Sequence, residues 1–199
     1  MSFPDRGDTT ALAVLVFTAM GLAAGCSQPA TAPTSFTTYN AKDQSFQCQH
    51  PADWEAEGGG AGGYYHLRVR RGSAAINVTA DLVGSLLGDI ARSFGQAAGL
   101  SEERLSPVAQ LHEMAKEEMA ESYGGYQEQP AMKISTGFGE TYRTEFTGSG
   151  SFGGKLHGYR ATALARDRRI LCVCTCPDSD WQTLKPAFEK VIASLAAGR

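Results

Sequence analysis

Three cysteines at alternate positions, Cys172, Cys174 and Cys176, are the residues of this 199-residue chain with the most unusual chemistry to offer. Their stretch, Arg169 to Cys176, reads as a strand, so the three thiols project from one face. A fourth cysteine, Cys48, lies in an earlier alternating stretch, Gln44 to His50. Thiolates gathered on one face are soft donors that suit copper(I) or zinc, particularly if His50 or His157 comes close in the fold. Disulfides are the competing fate, and geometry limits them. Cysteines two apart on a regular strand have Cα atoms about 6.6 Å apart with parallel Cβ vectors, at the far edge of bridging distance, and those four apart stand about 13 Å away. A bridge from Cys48 to one of the three is the expected pairing. The two thiols left over have three open fates: small buried apolar groups, a strained Cys-x-Cys bridge at a bulge, or ligands to a soft metal ion.

The fifth cysteine, Cys26, belongs to a different context. Ala11 to Leu22 is an uncharged apolar run of 12 residues, followed by Ala23-Ala24-Gly25-Cys26. Twelve residues of helix cover about 18 Å, short of the roughly 30 Å hydrocarbon core of a bilayer, so the run is a targeting segment and not a span. Leu22-Ala23-Ala24-Gly25-Cys26 resembles the bacterial lipobox, with the Leu four places before the cysteine where three is usual. The resemblance implies that residues 1–25 are cleaved and that Cys26 carries the lipid. Ser27 to Ser35 is small, polar and proline-containing, which predicts an extended tether over 26–35. Acyl chains contribute about 0.8 kcal/mol per buried methylene, enough for a multiply acylated Cys26 to hold the chain at a bilayer. Export to an oxidising compartment makes pairing the default for the four remaining cysteines. The expected location is the extracytoplasmic side, facing the periplasm; Ser27 after the cysteine resembles the outer-membrane sorting choice.

Other chemistries find little support. With 18 basic and 21 acidic side chains and a net charge of -3, spread without long runs, no footprint for nucleic acid exists. Gly58 to Gly63 lacks the Lys-Ser/Thr ending and following helix of a phosphate cradle and reads as a flexible hairpin loop. His112 and Glu113, beside Glu117, Glu118 and Glu121, lack a second ligand at i+4 and read as a solvated helix face. Tyr64, His66, Arg68 and Arg70 alternate with Tyr65, Leu67 and Val69 and read as the solvated face of a strand. No Gly-x-Ser-x-Gly elbow occurs, and Ser149 in Gly148-Ser149-Gly150 reads as a turn. No cofactor is implied, and an enzyme is not the expected class.

The elements that must position the cysteines follow from periodicity. Gln44–His50, Tyr64–Arg70 and Ala74–Ala80 alternate as half-buried strands. Leu82, Val83, Leu86, Leu87, Ile90 and Phe94 recur at helical spacing, as do Val108, Leu111, Ala115, Met119 and Tyr123. The second helix is punctuated by Ser106 as N-cap, Pro107 at its first position, and Gly124-Gly125 as its stop. Strands return at Ala131–Thr136, Glu140–Thr147, Lys155–Ala165 and Arg169–Cys176, linked closely enough to be antiparallel. A last helix presents Trp181, Leu184, Phe188, Val191, Ile192 and Leu195, with Pro186 a few residues inside its start. The pattern is α+β: one antiparallel sheet of about six or seven strands covered by helices, in a single domain over 36–199.

Phe46, Pro51 and Trp54, spaced F-x4-P-x2-W, open this domain, and Trp181, Phe188, Val191-Ile192 and Ser194-Leu195 close it. In these residues the chain resembles the PsbP-like fold, an α/β/α sandwich. The resemblance implies a mostly non-enzymatic extracytoplasmic or lumenal protein that binds a protein partner; some photosynthetic members influence metal cofactors of a larger complex. The polyglycine loop and the cysteine-rich strand are departures, and no functional residue carries over. Two functions are expected on this basis: a lipid-anchored binding or assembly module, or a thiolate metal-binding or redox lipoprotein built on Cys172, Cys174 and Cys176.

Overall fold

Alternation of apolar and polar side chains becomes strand wherever one face can be covered, and here two faces are. The computed structural model describes residues 30–83, 106–150 and 153–199. The strands are β1 (Phe36–Asn40), β2 (Gln47–Pro51), β3 (Glu55–Ala61), β4 (Tyr64–Arg71), β5 (Ala74–Leu82), β6 (Gly124–Glu128), β7 (Met132–Thr136), β8 (Gly139–Ser149), β9 (Lys155–Ala165) and β10 (Arg168–Pro177). Two α-helices accompany them among the described residues, α1 (Pro107–Ser122) and α2 (Trp181–Ala193), the latter preceded by a 3-10 turn at Asp178–Asp180. The main sheet has eight strands in the order β3-β4-β5-β10-β9-β8-β6, with β7 also pairing β8. Every ladder is antiparallel. β1 and β2 form a separate hairpin.

One face of the sheet meets α2 and the β1–β2 hairpin. Leu67, Val69, Ile76, Val78, Ile170 and the three β10 cysteines pack there against Phe46, Trp54, Trp181, Leu184, Phe188 and Ile192. Burying a side chain such as Phe188 contributes about 2–3 kcal/mol. Ser194 fastens the end of α2: its hydroxyl donates to the Val191 carbonyl at 2.6 Å and accepts from the Gln49 amide at 2.8 Å. Pro186 lies inside α2, five residues after its start, and costs it one backbone bond. The opposite face of β8 and β9 carries α1, whose Leu111, His112, Ala115 and Met119 are buried. That α1 side lies over Thr144, Phe146 and Thr162.

Several expectations are corrected. Among the described residues the sheet holds eight strands, not six or seven: β3, through the polyglycine stretch, and β6 are added, while β2, expected in the sheet, pairs with β1 in the separate hairpin. Only Gly62 and Gly63, with φ of 61° and 95°, form the turn. Gly58 lies under the Tyr39 ring laid across it from β1, and a Cβ there would displace that ring. Strand β2 begins at Gln47 and runs to Pro51, since Gln44 takes a positive φ of 61° in the preceding turn. Leu82 closes β5, paired with Arg168, and does not open a helix; the rest of that helical reading, 86–94, lies outside the described residues. Gly124-Gly125 follows the end of α1 as expected, but also begins β6. The turn expected at Ser149 is the last residue of β8.

Candidate functional site

The central strand β10 positions the thiols. Cys172, Cys174 and Cys176 share one face with Ile170, and Cys48 comes down on them from β2; all four are free thiols and at most 1% exposed. The Cys172 and Cys174 sulfurs lie 3.8 Å apart. Burial pushes the Cys48 thiol well up, with Cys172 adding to it. Burial does the same at Cys174, reinforced by Cys172 and Cys48. Cys176 is pushed up to about 12 by burial and by Asp180 and Asp178. Thiol exchange needs the thiolate, which burial disfavours at Cys48, Cys174 and Cys176. Among the described residues, no three His, Cys, Asp or Glu side chains are placed to hold a metal ion. His50 is buried with its Nδ1 2.9 Å from the Pro51 carbonyl oxygen, and His157 is engaged elsewhere.

His157 lies in the first of two polar clusters. Its ring stacks on Trp181 with centroids 4.1 Å apart and planes 6° off parallel. Nε2 lies 2.9 Å from Glu145 Oε1 and Nδ1 3.0 Å from Asp178 Oδ1. Lys185 and Lys155 reach the same two carboxylates, each at 3.1 Å. Burial opposes ionisation of Glu145, yet hydrogen bonds from Lys185 and His157 prevail and hold its carboxyl below the usual range. The Lys155 and His157 hydrogen bonds do the same for Asp178. Both ring nitrogens of His157 are thus committed to carboxylates.

The second cluster lies beneath α1 and overturns the solvated reading of His112, which is 1% exposed. Its Nδ1 and Nε2 meet the Thr162 and Thr144 hydroxyls at 2.9 and 2.8 Å. Burial, then Arg160, lower its pKa to about 3, so the ring is neutral. Arg160, fully buried, donates to the His112 carbonyl and to Glu128 at 2.9 Å. Burial works against the Glu128 charge, but hydrogen bonds from Tyr126 and Arg160 keep its carboxyl below the usual range. Position 112 follows Val108 by four residues and so shares its face, a signal the polarity of histidine obscured.

Of the remaining expectations, Tyr64, Arg68 and Arg70 are exposed and Leu67 and Val69 buried, as the alternation predicts, but Tyr65 and His66 are both half-buried, so His66 departs from the solvated face expected of it. Ser106 precedes Pro107 at the start of α1, but its hydroxyl bonds Glu140 and makes no cap bond to the helix. Cys26 lies outside the described residues. No helix among them is long and apolar enough to cross a membrane.

Comparison with known proteins places the fold. No protein-family model matches the sequence, and no curated protein does. Among solved structures, CyanoP, the cyanobacterial PsbP of Synechocystis sp. PCC 6803, matches with a TM-score of 0.57 and 12% identity, over 82% of this chain and 92% of its own. The protein Mog1, in a mutant form, matches with a TM-score of 0.51 and 6% identity, over 82% and 96%. LpqN of Mycobacterium tuberculosis, described as involved in cell envelope biogenesis, has a TM-score of 0.46 and 12% identity, over 83% and 91%. The chain therefore has a PsbP-like α+β fold, with an antiparallel eight-stranded sheet and two α-helices among the described residues. At these identities the likeness is one of fold.

Proposed function

We propose that the chain is a lipid-anchored extracytoplasmic lipoprotein, held at the membrane through Cys26, whose folded domain is a non-enzymatic binding or assembly module for a protein partner. The observation that carries the non-enzymatic part is how the chemistry-bearing residues are spent. His112 and His157 each have both ring nitrogens engaged within the domain, and three of the four cysteines are held protonated by burial. The two imidazoles so engaged hold the fold together with neither ring nitrogen free for a substrate, and a protonated, buried thiol is a poor nucleophile. The anchor itself rests on the lipobox-like ending and the short apolar run.

The second reading, a metal-binding or redox lipoprotein using Cys172, Cys174 and Cys176, has the 3.8 Å sulfur contact in its favour. Against it stand the burial and the raised thiol values. Membrane fractionation tests the anchor: Cys26→Ser releases the protein from the membrane fraction, and a variant that stays membrane-bound and fully processed refutes lipidation. Metal analysis after anaerobic isolation separates the two readings, with stoichiometric copper or zinc overturning the first.

A further inference from the structure

The path of the chain into the domain constrains how the domain can sit on a bilayer. Ala30 packs against the core, and with Thr31 it lines a cleft of about 580 Å³ bounded by Trp54, Gly72, Ser73 and Pro177. From there the chain stays on the surface to β1, where the Ser35 carbonyl accepts from the Ala52 amide at 3.0 Å. The cleft lies at one end of the sheet. β4 turns into β5 there, β10 runs into its 3-10 turn there, and β9 begins there at Lys155. The other end holds the Gly62-Gly63 turn and the Arg166-Asp167 turn, separated from the first by the length of β10, ten residues or about 30 Å.

We infer that the cleft end of the sheet faces the bilayer and that the end with the glycine turn points away from it. The inference rests on the proposed lipidation of Cys26. Four Cα steps separate Cys26 from Ala30, a reach of at most about 14 Å. A leash running free to Phe36 would reach about 35 Å and let the domain turn end over end. A leash of about 14 Å cannot carry it past a domain about 30 Å long. Charge adds little, because the ions at the cleft end nearly balance: Arg71 pairs with Asp53 and Lys155 with Asp178 at 3.1 Å, Arg70 lies across from Glu55 in the ladder, and Asp180 lines the cleft. The partner surface is therefore a lipid headgroup layer recognised through covalent proximity, with no preference for anionic lipid.

The test uses the full lipidated protein in phosphatidylcholine vesicles doped with headgroup-nitroxide lipid. A fluorescent noncanonical residue replaces either Ser73 or Asp167, both exposed. The Ser73 probe loses most of its emission and the Asp167 probe keeps nearly all of it, and adding phosphatidylglycerol changes neither. Inserting a ten-residue Gly-Ser segment between Pro29 and Ala30, which adds about 35 Å of extended reach, on the order of the domain's length, brings the two probes toward equal quenching. Equal quenching without the insert, or stronger quenching at Asp167, overturns the orientation while leaving the anchor standing. Failure of the unsubstituted lipoprotein to sediment with vesicles, or retention of the Cys26→Ser form, overturns the anchor and the orientation with it.

Discussion

His112 sits where only the neutral imidazole is accommodated. Its ring nitrogens face two threonine hydroxyls, and the Arg160 guanidinium lies against its carbonyl. Its folded value is lowered to about 3 from an ordinary value near 6.5. The unfolded chain therefore takes up a proton that the folded chain refuses, so this contribution is complete above about pH 6.5 and is lost as pH falls from there toward 3. From pH 7 to 5 the loss is about 2 kcal/mol, read by denaturant unfolding across that range. His112→Gln flattens the profile in this window, whereas an unchanged slope assigns it to other groups. The lowered carboxylates, Glu128 and Glu145 among them, act at more acid pH, their contribution being lost as pH falls from the ordinary carboxyl value through the lowered folded one. At the thiols, a disulfide-exchange reagent finds almost none reactive in the native domain, because burial keeps Cys48, Cys174 and Cys176 protonated. All four react in denaturant. If two are missing even there, a pair is bridged, and peptide mapping distinguishes a Cys48 bridge from one between Cys172 and Cys174, whose sulfurs lie 3.8 Å apart.

Packing at the level of elements depends on contacts between residues far apart in sequence, and two substitutions expose them. Phe188→Ala empties a fully buried site between Trp54 and Trp181 and costs about 3–5 kcal/mol, measured by chemical denaturation. Gly58→Val forces the Tyr39 ring off β3 and costs about 1–3 kcal/mol. Tyr39→Ala in the same chain relieves part of the collision, so the double-mutant cycle shows a coupling of opposite sign. These contacts also mark what was legible beforehand. β4 and β5 were readable because each has one buried and one open face, which forces period-two alternation. α2 was readable from its apolar stripe. β3 was not, since glycines have no side chains to alternate and the contact that selects Gly58 comes from Tyr39, nineteen residues earlier. β1 was missed because most of its side chains are exposed. The thiol face of β10 was visible in its spacing, but not the His157 cluster, whose partners Glu145 and Asp178 come together only through the pairing of β8, β9 and β10.

For the whole molecule, a PsbP-like domain in which both faces of the central strands are covered presents its ends and edges to other molecules. Its end with the Ala30 cleft would lie next to the anchor. A chain so held meets partners within a thin layer above the bilayer, which raises their effective concentration without any added contact. That arrangement depends on one covalent fact, the identity and modification of the mature N-terminus. Intact-mass and N-terminal fragment analysis of protein extracted from membranes tests it most directly. The expected mature chain starts at Cys26 and carries a diacylglyceryl group on that sulfur. A chain that starts elsewhere, or an unmodified Cys26, contradicts the lipoprotein account.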